Sequence, residues 1–265
     1  MTFSAWLQLA ASYITFLRRS QTKYGVHSPF VYDLITKVIK DHQHYPEYTL
    51  AEEIRDQCLH SMQVIEISNY GASKPINPSG NERKQVCAIA RAAITQRCGR
   101  LLNRLVRYFG PENLLEMGTS LGISSIYMAS AAPTAKYTTM EGCSTTAELA
   151  CSHLKQAGLP QVQMLIGDFS YLLPRYIAAQ HHIDFAFFDG NHTYTATLDY
   201  FYQCLPLIKE DSVFVFHDIH WSRGMEKAWA HICKHSQVTV SIDLFEVGLI
   251  FFRKGLSKQD FIIRF

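Results

Sequence analysis

The sequence predicts an α/β fold: a doubly wound sheet of seven strands ending in an antiparallel hairpin, preceded by a helical N-terminal region. Three observations predict it. From Pro111 onward, short apolar runs alternate with segments of helical periodicity. The first run, Asn113 to Met117, enters a turn bearing Gly118 and Gly122, and a helical segment follows. Finally, only Phe245 and Glu246 separate the last two runs. Parallel neighbours need a crossover of about a dozen residues, so this last pair must be antiparallel.

The elements follow in order. Residues 3–17 are mostly apolar, with Trp6, Leu9, Ala10, Tyr13, Phe16 and Leu17 recurring at helical spacing. Ser4, Gln8, Ser12 and Thr15 interrupt the run, and Arg18 and Arg19 come after it. A signal peptide carries its charge before the apolar stretch, and a spanning helix needs about 20 apolar residues. The segment therefore reads as an amphipathic helix. Ser28 before Pro29 suits a helix N-cap. Helical periodicity continues over 30–40 and 49–62, residues 68–80 read as a loop, and 82–109 read as helical with a break at Gly99. Strands are expected at 113–118, 136–141, 161–167, 183–189, 212–217, 238–244 and 247–254. Helices are expected at about 122–131, 144–157, 170–179, 193–206 and 222–235, giving right-handed crossovers. The expected division is a helical cap, 1–110, and a ligand-binding domain, 111–265.

Composition narrows the classes. Hydrophobic residues make up 48% and charged residues 18%, which fits a chain with a sizeable core. A net charge of +2 without a basic block argues against nucleic acid as a partner. The seven cysteines are scattered with no C-x-x-C spacing, as expected of reduced thiols in a cytoplasmic protein. Membrane association is not expected, and the apolar first helix suits a homodimer.

The chemistry gathers at the strand ends, where a doubly wound sheet binds its ligand. The turn reads E-x-G-x-x-x-G, not the G-x-G-x-x-G of a nicotinamide site. Glu116 stands two residues before Gly118 and suits a cationic ligand. S-adenosylmethionine, with its ammonium and sulfonium, is the natural candidate. Glu141 ends the second strand, about twenty residues past the turn, and can accept both hydroxyls of a ribose. Asp168 follows the third strand and can reach an adenine amine. Asp189 follows the fourth, and His217 and Asp218 the fifth. Each acid also has a structural reading: Glu141 as a helix N-terminal acid, and Asp168 and Asp218 as helix caps.

These motifs carry a resemblance. Residues from about 111 to 253 resemble the class I S-adenosylmethionine-dependent methyltransferases, which have a Rossmann-like sheet. The resemblance is to the small-molecule O-methyltransferase branch that includes catechol O-methyltransferase. The matching stretches are Leu-Glu-Met-Gly-Thr-Ser-Leu-Gly-Ile-Ser, Met-Glu, Gly-Asp-Phe and Phe-Phe-Asp-Gly-Asn-His-Thr-Tyr. It implies that Gly118, Thr119 and Ser120 back the methionine moiety, with Gly122 in the same turn, and that Ser124 binds its carboxylate. It implies that Glu141 and Gly142 hold the ribose, that Asp168 and Phe169 flank the adenine, and that Asp189 faces the cofactor or the reaction. The helical N-terminal part resembles a lineage of bacterial methyltransferases of undefined substrate.

The resemblance further implies a divalent cation, Mg²⁺ or Mn²⁺, held by Asp189, Asp218 and His217, although an acid is more usual at position 217. Catechol-type relatives place a general-base lysine where this chain has His192. Imidazole can take a hydroxyl proton near neutral pH. His220, Trp221 and Arg223 are expected around the acceptor, and Tyr24, His27 and Tyr70 in a lid. The expected reaction is methyl transfer to a hydroxyl of a small-molecule acceptor. The competing classes are a non-catalytic protein that keeps the fold and binds the cofactor, and a nicotinamide oxidoreductase.

Overall fold

The computed structural model describes residues 3–68 and 81–265. They form two compact units, Met1–Asp41 with Gln180–Phe265, and His42–Ala179. The change of rhythm at residue 110 lies inside the second unit.

The first unit opens with α1 (Phe3–Arg19) and α2 (Pro29–Leu34), the latter prolonged by a π turn over Ile35–Ile39. Ser28 caps α2 as expected: the Val31 N–H donates to its hydroxyl oxygen, and Pro29 takes the first helical position. Helix α1 buries Phe16 and leaves Trp6, Leu7, Tyr13 and Ile14 exposed. Among the described residues no helix is long and apolar enough to cross a membrane.

The second unit begins with α3 (Glu47–His60), β1 (Val64–Ser68), β2 (Asn81–Gln85), α4 (Val86–Ala92) and α5 (Gln96–Phe109). Strands β1 and β2 pair antiparallel, Val64 opposite Gln85 and Ser68 opposite Asn81. This corrects the expected helical start at 82. Asn-Glu-Arg-Lys-Gln has no apolar periodicity, so pairing with β1, not its own pattern, decides its state. Most of the expected loop at 68–80, with Tyr70, lies outside the described residues. The helical break falls before Thr95, not at Gly99. Thr95 Oγ1 accepts from the Cys98 N–H at 3.2 Å and starts α5. Gly99 sits inside α5, where an added Cβ would lie 2.3 Å from Tyr127 Cε2.

There follow β3 (Asn113–Met117), α6 (Ile123–Ala131), β4 (Lys136–Glu141), α7 (Ser144–Gln156), β5 (Gln163–Ile166) and α8 (Phe169–Ala179). The three strands are parallel in the order β3-β4-β5. Met117 pairs with Met140 and Glu141 with Ile166, so all three strands end on one edge.

The chain returns to the first unit with β6 (Ile183–Phe188), α9 (Tyr194–Cys204), β7 (Ile208–His217), α10 (Arg223–Lys234), β8 (Val240–Asp243), β9 (Val247–Phe251) and β10 (Gln259–Ile262). Their order is β10-β8-β9-β7-β6. The expected hairpin stands: β8 and β9 pair antiparallel from Val240–Phe251 to Asp243–Gly248, and Phe245 turns the chain at φ 76°. Strand β10 is an addition to the expected set and pairs parallel with β8. It is short and lies at the edge, behind the polar segment Arg253–Lys258, and carries no strong pattern. The core is aromatic, with Phe185, Phe187, Phe201, Phe214, Phe216 and Phe251 fully buried. Gly248 passes beneath Trp229, where a Cβ would meet the indole at 2.5 Å.

Candidate functional site

In the second unit the site is built on the turn between β3 and α6. Gly118 (φ 102°), Ser120 (φ 49°) and Gly122 (φ 79°) all take left-handed backbone. The Gly118 and Thr119 N–H groups donate to the Met140 carbonyl at 2.9 and 3.2 Å, binding the turn to the end of β4. A Cβ at Gly122 would stand 3.3 Å from that of Ala150, so this glycine also lets α7 approach. Thr119 is buried, with its hydroxyl 2.6 Å from that of Thr139.

Glu141 ties the edge together. Its Oε2 accepts from the Ser120 N–H at 2.7 Å and its Oε1 from the Cys143 N–H at 2.9 Å. The residue is half-buried, as are its neighbour Gly142 and, past β5, Phe169. Asp168 is exposed, and its Oδ1 accepts from the Ser170 N–H at 2.8 Å and the Ser170 hydroxyl at 2.7 Å, capping α8.

Glu116 departs from expectation. It is fully buried, and its carboxylate faces the interior, not a ligand. Oε1 accepts from Ser124 Oγ at 2.6 Å, and Oε2 accepts from Thr139 Oγ1 at 2.7 Å, Tyr137 Oη at 2.9 Å and Ser125 Oγ. Burial raises its pKa, and the hydroxyl donors oppose that rise. Burial, and next the charge of Glu116, push the Tyr137 phenol up as well. Glu116 therefore anchors the turn and does not meet a cation. The same bond corrects the expectation for Ser124, whose hydroxyl is committed to Glu116. What α6 offers a ligand is its first amides, for which the helix holds no carbonyl. Sequence reasoning missed Tyr137, Ser125 and Thr139. The signal was register: Glu116 lies directly opposite Thr139.

In the first unit, four expected residues come together past the ends of β6 and β7. His217 Nδ1 lies 2.7 Å from Asp189 Oδ1 and 3.8 Å from Asp218 Oδ2. His192 Nε2 lies 3.6 Å from the same Asp189 oxygen and 3.9 Å from Asp218 Oδ2. Two imidazoles thus share two carboxylates. Burial raises the pKa of Asp218, while the His217 and His192 rings pull it down. Asn191 (φ 49°) and Asp218 (φ 56°) hold left-handed backbone, which Asn and Asp tolerate better than bulkier residues.

The donor set matches only in part the Mg²⁺ or Mn²⁺ that the resemblance implies. A hard cation wants an oxygen shell, and the implied set of Asp189, Asp218 and His217 includes an imidazole. At 2.7 Å, His217 Nδ1 and Asp189 Oδ1 hydrogen-bond to each other, so this pair of atoms is engaged with itself. The arrangement suits proton transfer. His220 binds elsewhere, to Asp243 and Glu226. Trp221 is 47% and Tyr24 84% exposed, and His27 is also exposed.

Residues 115–219 match the model of a methyltransferase domain family. No curated protein sequence matches the chain. Among solved structures, this chain is similar to an O-methyltransferase from Bacillus cereus in complex with S-adenosylhomocysteine. That match has 16% identity and a TM-score of 0.58, covering 84% of this chain and 97% of the other. It is also similar to TomG, an O-methyltransferase from Streptomyces achromogenes involved in tomaymycin synthesis, in complex with S-adenosylmethionine. Here identity is 20% and the TM-score 0.58, over 84% and 95% of the two chains. The S-adenosylhomocysteine-bound Podospora anserina methyltransferase PaMTH1 matches at 13% identity and a TM-score of 0.59, over 86% and 98%. The chain thus has the Rossmann-like fold of these structures, with a helical N-terminal region ahead of it in sequence.

Proposed function

We propose that this chain transfers the methyl group of S-adenosylmethionine to a hydroxyl oxygen of a small-molecule acceptor. Glu141 carries the reading: a half-buried carboxylate at the carboxyl end of β4, clamped to the glycine-bearing turn through the Ser120 N–H at 2.7 Å. A carboxylate offers about four acceptor sites, so each oxygen keeps one for a ribose hydroxyl. Asp168 keeps Oδ2 for the adenine amine, with Phe169 beside the ring. The first amides of α6 receive the methionine carboxylate, the part first expected of the Ser124 hydroxyl.

When bound, S-adenosylmethionine supplies a methyl group on a positively charged sulfur. His192 takes the acceptor's hydroxyl proton, while the oxygen forms the new C–O bond and the C–S electron pair stays on sulfur. Asp189 and Asp218 stabilise the imidazolium that results, and His217 fixes Asp189 through the 2.7 Å bond. Holding the two reactants in line is the larger contribution, and deprotonation the smaller. No step is routed through a metal. The O-methyltransferase neighbours, bound to the methyl donor or its demethylated product, support the choice of donor and acceptor atom.

Calorimetry tests the donor. Saturable binding of S-adenosylmethionine with NAD inert is the expected result, and a folded preparation that binds NAD alone overturns the reading. Labelled methyl donor offered with hydroxyl, amine and thiol acceptors then tests the atom.

A further inference from the structure

The segment from β4 to α7 grips the turn between β3 and α6 at two consecutive residues. Glu141, at the end of β4, holds the Ser120 N–H at 2.7 Å. Helix α7 holds the next residue: His153 Nδ1 lies 2.8 Å from the Leu121 carbonyl oxygen. Leu121 is buried and His153 half-buried. One turn earlier on α7, Ala150 comes up against Gly122, where an added Cβ would stand 3.3 Å from that of Ala150. The bare glycine thus brings the helix close enough for a direct bond to the turn.

A carbonyl oxygen only accepts, so Nδ1 carries the proton and donates. In the neutral ring Nε2 is then an acceptor, since the bond made by one nitrogen sets the role of the other. Its neighbour meets that need. Cys58 Sγ, on α3, lies 3.7 Å from Nε2. Cys58 is buried, and burial pushes its thiol up, which keeps the S–H in place. The donors therefore run in series, from the Cys58 thiol to His153 Nε2 and from His153 Nδ1 to the Leu121 carbonyl. At the other end of the same peptide, the Gly122 N–H donates to the Thr119 carbonyl at 2.8 Å. A peptide unit is planar, so bonds at both of its ends fix its orientation.

We infer that His153 is a positioning residue for the methyl donor: it fixes the Leu121–Gly122 peptide, and through it the direction of the first amides of α6. The role rests on the proposed S-adenosylmethionine site, in which those amides receive the methionine carboxylate. Leu121 stands between two left-handed residues, Ser120 at φ 49° and Gly122 at φ 79°. Its carbonyl lies outside both the strand and the helix and takes a side chain as its partner. Released from His153, the peptide is free to swing that oxygen toward the carboxylate, bringing two negative ends together. Held, it leaves the helix start open to an anion. Donors already aimed when a ligand arrives spare the cost of ordering them on binding. His153 acts through the backbone and touches no reacting atom.

Calorimetric titration of the full chain tests it with two ligands, S-adenosylhomocysteine and methylthioadenosine, the second of which lacks the methionine carboxylate. His153→Leu should weaken S-adenosylhomocysteine by at least about tenfold, the weight of one hydrogen bond to a charged group, and methylthioadenosine by less than about twofold. His153→Asn puts an amide N–H where the Nδ1 proton stood and should bind both ligands as the parent does. His153→Gln carries that amide one carbon farther, toward Cys58, and should behave like His153→Leu. The contrast between Asn and Gln serves as well where the leucine variant does not fold. A histidine that merely supports the fold gives another pattern: both ligands weaken together, and the Asn and Gln variants match. That pattern, or S-adenosylhomocysteine affinity unmoved in His153→Leu, overturns the role. Nitrogen NMR should find the neutral His153 ring protonated on Nδ1, and a proton on Nε2 overturns it too. A folded parent that binds neither ligand defeats the methyl-donor site and His153 with it, whereas a parent that binds both beside indifferent variants defeats His153 alone.

Discussion

Ser120 and Glu141 meet across two strand ends: the Ser120 N–H, on left-handed backbone at φ 49°, donates to Glu141 Oε2 at 2.7 Å. The bond joins the turn after β3 to the end of β4, and the second carboxylate oxygen holds the Cys143 N–H. Glu141→Ala removes the clamp and the proposed ribose contact together. S-adenosylmethionine affinity should fall by at least about tenfold, since a hydrogen bond to a charged group is worth about 1.5–3 kcal/mol. Calorimetry with a parallel melting curve checks this, and unchanged affinity removes Glu141 from the ligand.

His192→Ala should lower turnover by about 10²–10⁴-fold, the usual weight of a general base. The dissociation constant for S-adenosylmethionine should not move. His217→Gln should cost less, because His217 acts through Asp189 and not on the acceptor. Single-turnover rates beside binding isotherms separate these outcomes, and a fully active His192→Ala enzyme ends the base assignment.

Glu116 serves four hydroxyls from a fully buried position. In Glu116→Ala those donors lose their acceptor, and each stranded buried group costs about 1–3 kcal/mol. Stability should fall by at least about 2 kcal/mol, part of the damage being relieved by rotation of the hydroxyls or by water. Urea unfolding measures it. A variant as stable as the parent would show that the network contributes nothing net.

Gly99→Ala pits two effects against each other. Alanine is favoured over glycine within a helix by about 0.8–1 kcal/mol. Against this, the new Cβ would stand 2.3 Å from Tyr127 Cε2, and overpacking costs about 1–3 kcal/mol. A clash with a buried ring should win, so the variant should melt lower. Gly99→Ala with Tyr127→Leu should recover most of the loss.

Glu52 gives a pH test. The Arg100 guanidinium holds its carboxylate through bonds of 2.7 and 3.0 Å. The Arg100 hydrogen bond lowers the Glu52 pKa, against the effect of burial. A depressed folded-state pKa stabilises the fold fully above the unfolded value, about 4.3 for Glu. The contribution is then lost as pH falls through the folded value. The stability gap between parent and Glu52→Gln should therefore be widest near neutrality and narrow as pH drops below about 4. A gap constant with pH would show that packing, not charge, sets it.

Much of the fold was readable because its causes are local. Phe245 and Glu246 leave no room for a crossover, so the antiparallel hairpin followed from chain length alone. The Gly118 to Gly122 turn announced itself by residue type, as did the Ser28 cap. What stayed hidden depends on partners distant in sequence. Glu116 looked like a ligand contact because it ends a strand, and only pairing with Thr139 reveals four hydroxyl donors around it. Gly99 looked like a break because nothing near it in sequence announces Tyr127. Strand β2 is polar throughout and takes its state from β1. At the reaction edge the sequence named Asp189, His192, His217 and Asp218, and the structure brings them together. It could not show that His217 hydrogen-bonds to Asp189, because that contact joins the ends of two strands 28 residues apart.

Gly248 lies bare beneath the indole of Trp229, and the two meet only because no side chain stands between them. Trp229 belongs to the helix whose first turn, with Arg223 and Glu226, lines a cavity of about 820 Å³. A single hydrogen in place of a methyl group thus sets the height of that helix above the strands. Any bulk introduced at position 248 would reshape the cavity from below, without touching a residue that lines it.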